Sequence, residues 1–302
     1  MRLLRPRRAQ GKRVRVGRML KWAVAGLLAI VIVLALLAAP IAYRLFHGLD
    51  VYETVPPTLP VTMLSPAILV FSKTNGFRDG ASIDAANAMF RQLARQREWS
   101  IVLTENGAVF NPAQLARFDA VVWNSVSGDV LTAAQRSAFR TYLEQGGGFV
   151  GIHGAGGDMS YRWRWYVEDL IGAQFTSHTM FPEFQTASIR IEDPAHPTMA
   201  RLPRTWVRAD EWYSFDRSVR RKGYRVLATL DETSYRPRGI LLDDIAMGRD
   251  HPIIWTHCIG RGRAFYSALG HAAETYSEPL HREMLANAVT WASGREPCKD
   301  GL

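Results

Sequence analysis

The chain has 302 residues, of which 37 are Lys or Arg and 28 are Asp or Glu, so its net charge is +9. The whole excess lies in residues 1–21, which hold nine basic residues and no acid, and the remainder of the chain is balanced. A nucleic-acid-binding domain would need a clustered basic face. The composition therefore argues against nucleic acid as a partner.

An apolar run follows the basic tail. Residues 22–39 are 18 uncharged residues, and a membrane-spanning helix needs about 20. We interpret residues 1–21 as a cytoplasmic tail and residues 22–42 as an uncleaved anchor of the inner membrane. The positive-inside rule then places the main domain on the far side. A cleaved signal peptide is the alternative, although its apolar core usually has only about 7–15 residues.

The rest of the chain divides by composition. Four prolines within residues 56–66 predict a semi-rigid linker over 43–66. Residues 67–294 are long enough for one large domain, and 295–302 form a polar tail. Removing residues 1–60 is expected to leave a cooperatively folding domain. Cys258 and Cys298 are interpreted as two independent thiols, with one disulfide as the alternative in an oxidising compartment.

Strands and helices alternate in the first half of this domain. Continuous apolar strands between amphipathic helices predict a mostly parallel α/β sheet with helices on both faces. Thr132 and Gln135 have the spacing of a capping box, and Gly146 is expected to end that helix in a left-handed conformation. The predicted elements are strands 67–71, 100–104, 118–124 and 149–152 and helices 83–97 and 132–146.

The second half is less regular and predicts a mixed sheet. Residues 184–191 alternate in polarity and predict an edge strand. Strands over 252–258 and 263–269 are joined by a short glycine-containing turn, which predicts a hairpin. A closing helix is predicted over 278–293.

The most informative stretch is GGGFVGIHGAGGD, residues 146–158. An apolar strand stops at His153, and the small residues after it allow a sharp turn. Such an elbow presents a Ser or Cys nucleophile in α/β hydrolases and glutamine amidotransferases, but neither residue lies beside His153. The chemistry is therefore expected to be acid–base or metal-assisted. Loops 72–78, 124–129 and 153–158 are expected to meet at the carboxyl edge of the sheet, where ligands bind.

Further candidate residues lie outside the elbow. The run YRWRWY (161–166) could stack on a sugar ring or only cover the core. Asp210 and Glu211 point to opposite faces of an extended segment, so only one is expected to enter the site. His178 and His271 end or follow apolar segments. Converging histidines and an acid suit proton transfer or a divalent metal such as zinc, but no zinc motif occurs.

Nine stretches of the domain carry a family resemblance, among them FSKTNGFRD (71–79), GGGFVGIHGAGGD, the DEWY run (210–213) and GRAFYSALGH (262–271). They resemble the trehalose-utilisation (ThuA-like) family. The resemblance implies a flavodoxin-like, class I glutamine-amidotransferase-like fold and a context in which glycosides are oxidised to 3-keto forms and broken down. It also implies that the acid pair and three histidines belong to the site. The chain departs from the family at Asp79, where many members have a histidine, and at Gly154–Gly157.

These observations give one leading hypothesis. The chain is expected to act on a keto-sugar or modified glycoside by elimination or hydrolysis, with His153 as the base and Lys73 or a backbone N–H stabilising the enolate. A non-catalytic carbohydrate-binding or assembly module is the alternative, and glutamine amidotransfer is excluded because no Cys follows the fourth strand. The expected catalytic residues are His153, His178, Asp210, Glu211 and His271; the expected substrate-binding residues are Lys73, Asn75, Arg78, Tyr161, Trp163 and Tyr213. A metal, if bound, is expected on His153, His178, Glu211 and His271.

Overall fold

The structure, a computed structural model, describes residues 10–299. The chain forms two units, and the division falls between Phe46 and His47. The first nine residues of the predicted basic tail and the last three residues of the chain lie outside the described part.

The first unit contains one long helix, α1, Gln10–His47. Its segment Arg18–Arg44 contains an 18-residue stretch with a mean hydropathy of 2.9 and no buried residue, so it is long and apolar enough to cross a membrane. A signal sequence near an N-terminus has the same properties. The helix extends beyond both ends of the predicted anchor.

The second unit is a mixed α/β fold. Its strands and helices follow the order predicted for the first half of the domain, with boundaries that differ by at most three residues. The strands are β1 Ala67–Phe71, β2 Ser100–Thr104, β3 Ala120–Asn124, β4 Gly148–Ile152, β5 Phe175–His178, β6 Phe184–Ile191, β7 Thr205–Glu211, β8 Tyr213–Phe215, β9 Arg225–Asp231, β10 Pro252–Ile259 and β11 Gly262–Ser267. The helices are α2 Gly80–Arg97, α3 Pro112–Leu115, α4 Ala133–Glu144 and α5 Pro279–Ala292.

One sheet holds nine strands in the order β2-β1-β3-β4-β11-β10-β9-β6-β7. The first five are parallel and follow the 2-1-3-4-5 order of flavodoxin-like sheets. The last four are antiparallel, and β10 and β11 form the predicted hairpin. The prediction that 184–191 is an edge strand is wrong, because β7 pairs along β6 and takes the edge position.

Helices cover both faces of the parallel part. Adjacent residues of β3 show this, because neighbouring side chains of a strand point to opposite faces. The Trp123 ring stacks on Phe139 of α4, whereas the Asn124 amide donates to the carbonyl of Ile83 in α2. The two helices therefore lie on opposite sides of the sheet.

The helix signals in the sequence are confirmed. Thr132 and Gln135 form a complete capping box at the start of α4, and Gly146, two residues after the end of α4, has a φ of +120°. A left-handed or similar backbone is strained for residues with a Cβ, which explains the glycine.

The prediction of two independent thiols is wrong. Cys258 and Cys298 form a disulfide, with their Cα atoms 5.6 Å apart. The two cysteines are 40 residues apart in the sequence. The polar tail after α5 nevertheless returns to the end of β10, where the N–H of Cys298 donates to the carbonyl oxygen of Arg261. The tail is therefore tied to the sheet.

Residues 47–66, which we call the strap, pack along the domain. The Glu53 carboxylate accepts hydrogen bonds from Lys73 Nζ at 2.6 and 2.7 Å and from Gly107 N at 2.8 Å. The Asn75 amide donates to Val51 O at 3.0 Å. Further bonds reach Leu49, Val55, Pro57, Pro60 and Leu64. The predicted linker is thus bound to the domain from His47 onward.

The strap changes the expected behaviour of truncated chains. A chain of residues 47–302 should unfold cooperatively, whereas a chain of 61–302 should lose at least about 3 kcal/mol of unfolding free energy, because Lys73 loses its carboxylate partner. Lys73 is 5% exposed, so water replaces that partner poorly. Urea denaturation of both chains measures the difference. A Glu53→Gln variant of 47–302 should fall between them, and equal midpoints would contradict the structural role of the strap.

Candidate active site

The elbow after β4 has the geometry expected from its sequence. His153 has a φ of +46°, an unusual backbone conformation for a residue with a side chain. Its Nδ1 lies 2.9 Å from the carbonyl oxygen of Ala268. Since a carbonyl only accepts, Nδ1 carries the proton and Nε2 presents a lone pair. The elbow therefore holds the histidine in one tautomer.

Glu211 is the centre of the site. Its Oε2 lies 3.4 Å from His153 Nε2 and 3.2 Å from His271 Nδ1, and its Oε1 lies 2.8 Å from His178 Nδ1. The nitrogens His153 Nε2 and His271 Nδ1 are 2.9 Å apart. We call His153, His178, Glu211 and His271 the histidine cluster. Four residues predicted from the sequence are thus brought together.

Four strand ends build the cluster. His153 follows β4, and His271 follows β11, its parallel neighbour. Glu211 ends β7, and His178 ends β5, which pairs with β8 in a small second sheet. In that sheet His178 faces Tyr213, whose hydroxyl donates to His153 Nε2 at 2.8 Å. Residues on β7 and β8, which lie outside the parallel half, thereby contact histidines at the carboxyl edge of the parallel strands.

Asp210 supports the cluster by binding the backbone of the loop that carries His271. The carboxylate is fully buried, and it accepts from Gly270 N at 3.0 Å and His271 N at 3.2 Å. Arg208 lies 3.1 Å away and compensates its charge. As the alternation of strand residues predicts, Glu211 enters the site while Asp210 positions the loop that carries His271.

The charges of the cluster shift one another. Burial alone would raise the pKa of Glu211, but its contacts with the three histidines outweigh burial and lower that pKa far below its usual range. Burial opposes protonation of His178 and His271, yet the Glu211 carboxylate raises both pKa values, that of His271 to about 9. Burial and the neighbouring Glu211 together raise the pKa of Glu183. A carboxylate surrounded by imidazoles is thus the favoured state.

A cleft of about 720 Å³ adjoins the cluster. His271 belongs to both, since its Nδ1 faces Glu211 while its Nε2 lies 3.9 Å from Asp79 and 3.9 Å from Glu183. Phe184 also lines the cleft, and its ring centroid is 5.4 Å from that of His271. A small polar molecule could therefore reach the cluster through this opening.

The residues expected to bind substrate lie mostly elsewhere. Lys73 and Asn75 hold the strap, and the Tyr161 hydroxyl lies within 2.9 Å of three backbone carbonyl oxygens. Trp163 packs on the aromatic core beside α4. Arg78 pairs with Glu105 at the surface. Of the six residues, Tyr213 contacts the cluster.

Two residues of the site were missed in the sequence. Glu183, His178 and Glu211 offer ligand atoms within 4.8 Å of one another, and Phe184 pairs with Glu211 across β6 and β7. Neither residue has a diagnostic spacing in FPEF, residues 181–184. Glu183 and Phe184 lie beside the cluster because of the register in which β6 pairs with β7.

A second histidine–glutamate pair supports β8. His251 Nε2 lies 2.7 Å from the carbonyl oxygen of Tyr213, and its Nδ1 lies 2.7 Å from Glu232 Oε1. Glu232 also accepts from the N–H groups of Met247 and Gly248. Burial opposes ionisation of Glu232, but these bonds outweigh it and lower its pKa.

This pair predicts an acid-sensitive contribution to stability. Because the folded state lowers the pKa of Glu232, its contribution should be complete above the unfolded value of about 4.5 and lost as pH falls further. A Glu232→Gln variant should therefore be less stable than the wild type at pH 7, and the difference should shrink below about pH 4.5. Urea denaturation from pH 7 to pH 3 measures it. A difference that grows on acidification would contradict this sign.

The comparisons with known proteins agree with this fold. Residues 67–292 match the sequence profile of the ThuA family, described as trehalose utilisation. A ThuA-like protein of Bacteroides uniformis is 26% identical, with a TM-score of 0.65 over 80% of this chain and 97% of that one. A ThuA-like protein of Parabacteroides merdae is 16% identical, with a TM-score of 0.57 over 78% and 92%. No curated protein matches the sequence.

Proposed function

Because the chain belongs to the ThuA family of trehalose-utilisation proteins, we propose that it is an enzyme that breaks down a keto-glycoside at the histidine cluster. The observation that carries this proposal is the contact of Glu211 with three histidines at the carboxyl edge of the sheet. A cleft beside such a cluster is suited to proton transfer on a small sugar.

The proposed reaction begins at the carbon next to the ketone. A 3-keto group acidifies the neighbouring C2–H bond, so a base can take that proton while the bonding electrons form an enolate. The enolate then expels the glycosidic oxygen from C1, which leaves with a proton. Elimination gives an unsaturated keto-sugar, and addition of water to it completes hydrolysis. Each step moves protons that side chains can supply and accept.

His178 is the base in this proposal. Its Nδ1 faces two acceptors, Glu211 Oε1 at 2.8 Å and the carbonyl oxygen of Thr179 at 3.0 Å, so in the neutral imidazole Nδ1 carries the proton and Nε2 is bare. Its side chain is 33% exposed. A carboxylate that orients a histidine in one tautomer is the arrangement used for general bases.

His153 takes a different role from the one expected from the sequence. It is 2% exposed, and both ring nitrogens contact protein groups, Nδ1 at Ala268 O and Nε2 at Tyr213 and His271. A substrate carbon cannot approach either nitrogen without displacing these groups. We therefore assign proton removal to His178 and a positioning role to His153.

The cleft supplies the remaining functions. Phe184 is 42% exposed beside His271, where it offers an apolar face for a sugar ring. Glu183, 3.9 Å from His271 Nε2, is the carboxyl group we assign to protonate the leaving oxygen. Lys73 is not part of this proposal, because Glu53 already binds it.

The experiment follows a 3-keto-glycoside with the full chain in detergent. Turnover should be lost by at least about 100-fold in His178→Gln, with sugar binding retained. His47→Gln removes an exposed histidine outside the cluster and should leave turnover unchanged. Binding without turnover in the wild type would overturn the enzyme proposal and favour a carbohydrate-binding module.

We also propose that the domain lies outside the cytoplasm, anchored in the inner membrane by α1. The basic tail before Trp22 supports this orientation, and the Cys258–Cys298 disulfide suits an oxidising compartment. A reporter fused after Leu302 should be active only outside the cytoplasm. Activity inside would overturn the orientation, and release of a shortened soluble chain would indicate signal-peptide cleavage instead of anchoring.

A further inference from the structure

We propose that His153, Glu211 and His271 bind a divalent transition-metal ion. The three donor atoms are His153 Nε2, Glu211 Oε2 and His271 Nδ1, all within 4.8 Å of one another. Two imidazole nitrogens and one carboxylate oxygen are typical ligands for such ions.

The spacing of the donors fits one ion. The three distances between them are 2.9, 3.2 and 3.4 Å. Ligands bound at about 2.1 Å lie about 3.0 Å apart at an octahedral right angle and about 3.4 Å apart at a tetrahedral angle. The observed triangle falls within this range, so one ion could contact all three atoms once it displaces the Tyr213 hydroxyl from His153 Nε2 and the proton shared between the two histidines.

The surroundings of the two histidines support metal binding. Metal-binding histidines usually direct their second ring nitrogen at a carbonyl or carboxylate oxygen. His153 Nδ1 lies 2.9 Å from Ala268 O, and His271 Nε2 faces the carboxylates of Asp79 and Glu183 at 3.9 Å. The Asp210 carboxylate holds the backbone of His271. The Ala268 carbonyl therefore orients the His153 ring, and the Asp210 carboxylate fixes the backbone that carries His271.

The two carboxylate oxygens of Glu211 contact different groups. Oε2 belongs to the proposed metal triangle, whereas Oε1 contacts His178 Nδ1 at 2.8 Å. The sequence-based expectation included His178 among the metal ligands. His178 is left out of the metal set in this proposal, because it does not belong to this group of donor atoms that all lie within 4.8 Å of one another.

The cleft gives the ion access to substrate. The metal triangle is buried on the side of His153 and Glu211, and it opens at His271, which lines the 720 Å³ cleft. A catalytic ion needs such an open position beside its protein ligands. Its use in catalysis rests on the proposed function: it would polarise the ketone oxygen of the substrate and stabilise the enolate charge. Its binding does not depend on that function.

The first experiment measures the metal directly. The full chain, purified in detergent, is stripped with a chelator and titrated with Zn²⁺, Mn²⁺ or Co²⁺, with elemental analysis after dialysis. We expect one ion per chain for at least one of these metals. A stripped wild-type chain that binds none of the three would overturn the proposal.

Variants locate the site. Removal of an outer-shell partner already weakens metal binding by about 10–100-fold, so His153→Gln and His271→Gln should each weaken it at least about 100-fold. His251→Gln removes another buried histidine that contacts a glutamate, and it should bind the ion as the wild type does. Equal affinity in all three variants would overturn the assignment. Circular dichroism checks that each variant is folded.

Turnover separates this proposal from the proposed function. A chain that binds one ion at these residues but converts no 3-keto-glycoside supports the metal site and contradicts the enzyme. A chelated chain that retains full turnover supports the enzyme and overturns the catalytic use of the ion. Turnover that is lost on chelation and restored by the added metal supports both.

Discussion

Replacing Glu211 by glutamine is expected to lower kcat/KM for a keto-glycoside by at least about 1,000-fold. The amide keeps the size of the side chain but loses its charge and one acceptor oxygen. His178 then lacks the carboxylate that holds its tautomer, and His153 and His271 lose the anion between them. A steady-state assay with the full chain in detergent measures the effect.

A matched control distinguishes catalysis from support of the fold. Glu232→Gln alters another glutamate that contacts a buried histidine, 2.7 Å from His251, but it lies outside the cluster. It should reduce stability with little effect on kcat/KM. If Glu211→Gln retained more than about a tenth of the wild-type activity, the cluster would not be the reaction centre.

The largest effect on stability is expected at Phe149. Its side chain is fully buried in β4, and its ring packs against Trp123, Phe139 and Tyr166. Truncation to alanine removes these contacts and leaves a cavity, so the unfolding free energy should fall by about 3–5 kcal/mol. Urea denaturation of the wild type and variant measures the loss.

Phe184→Ala is expected to have a small effect on stability, in contrast to Phe149→Ala. The ring is exposed beside His271, so its loss should cost less than about 1 kcal/mol of stability. The lost stacking should lower kcat/KM for a sugar by up to about 10-fold. A stability loss as large as that of Phe149→Ala would show that Phe184 belongs to the core and would remove it from the substrate site.

Local patterns in the sequence were sufficient to predict the parallel half of the sheet. Strands β1 to β4 are short apolar runs between amphipathic helices, and the Thr132 capping box is encoded within four residues. The antiparallel half depends on which strands pair. β7 pairs with β6, and the three residues of β8 pair with β5 across 34 intervening residues. No local periodicity encodes such pairings.

The same distinction applies to the site. His153 could be predicted because the elbow combines a strand end with small residues, and family resemblance added the other cluster members. The role of Lys73 could not be predicted, because its partner Glu53 lies in a segment whose prolines suggested a free linker. Glu183 and Phe184 acquire their positions from the β6–β7 register. Contacts between segments that are distant in the sequence, more than local conformation, determine which polar residues lie together.

The Cys258–Cys298 disulfide closes a loop that contains β11, His271 and α5. Closing a loop of 40 residues removes about 4 kcal/mol of chain entropy from the unfolded state, in the entropic account of disulfides. The chain held in reducing conditions therefore has more disordered conformations available. Since that loop carries one member of the histidine cluster, the stability of the carboxyl edge depends on whether this disulfide has formed.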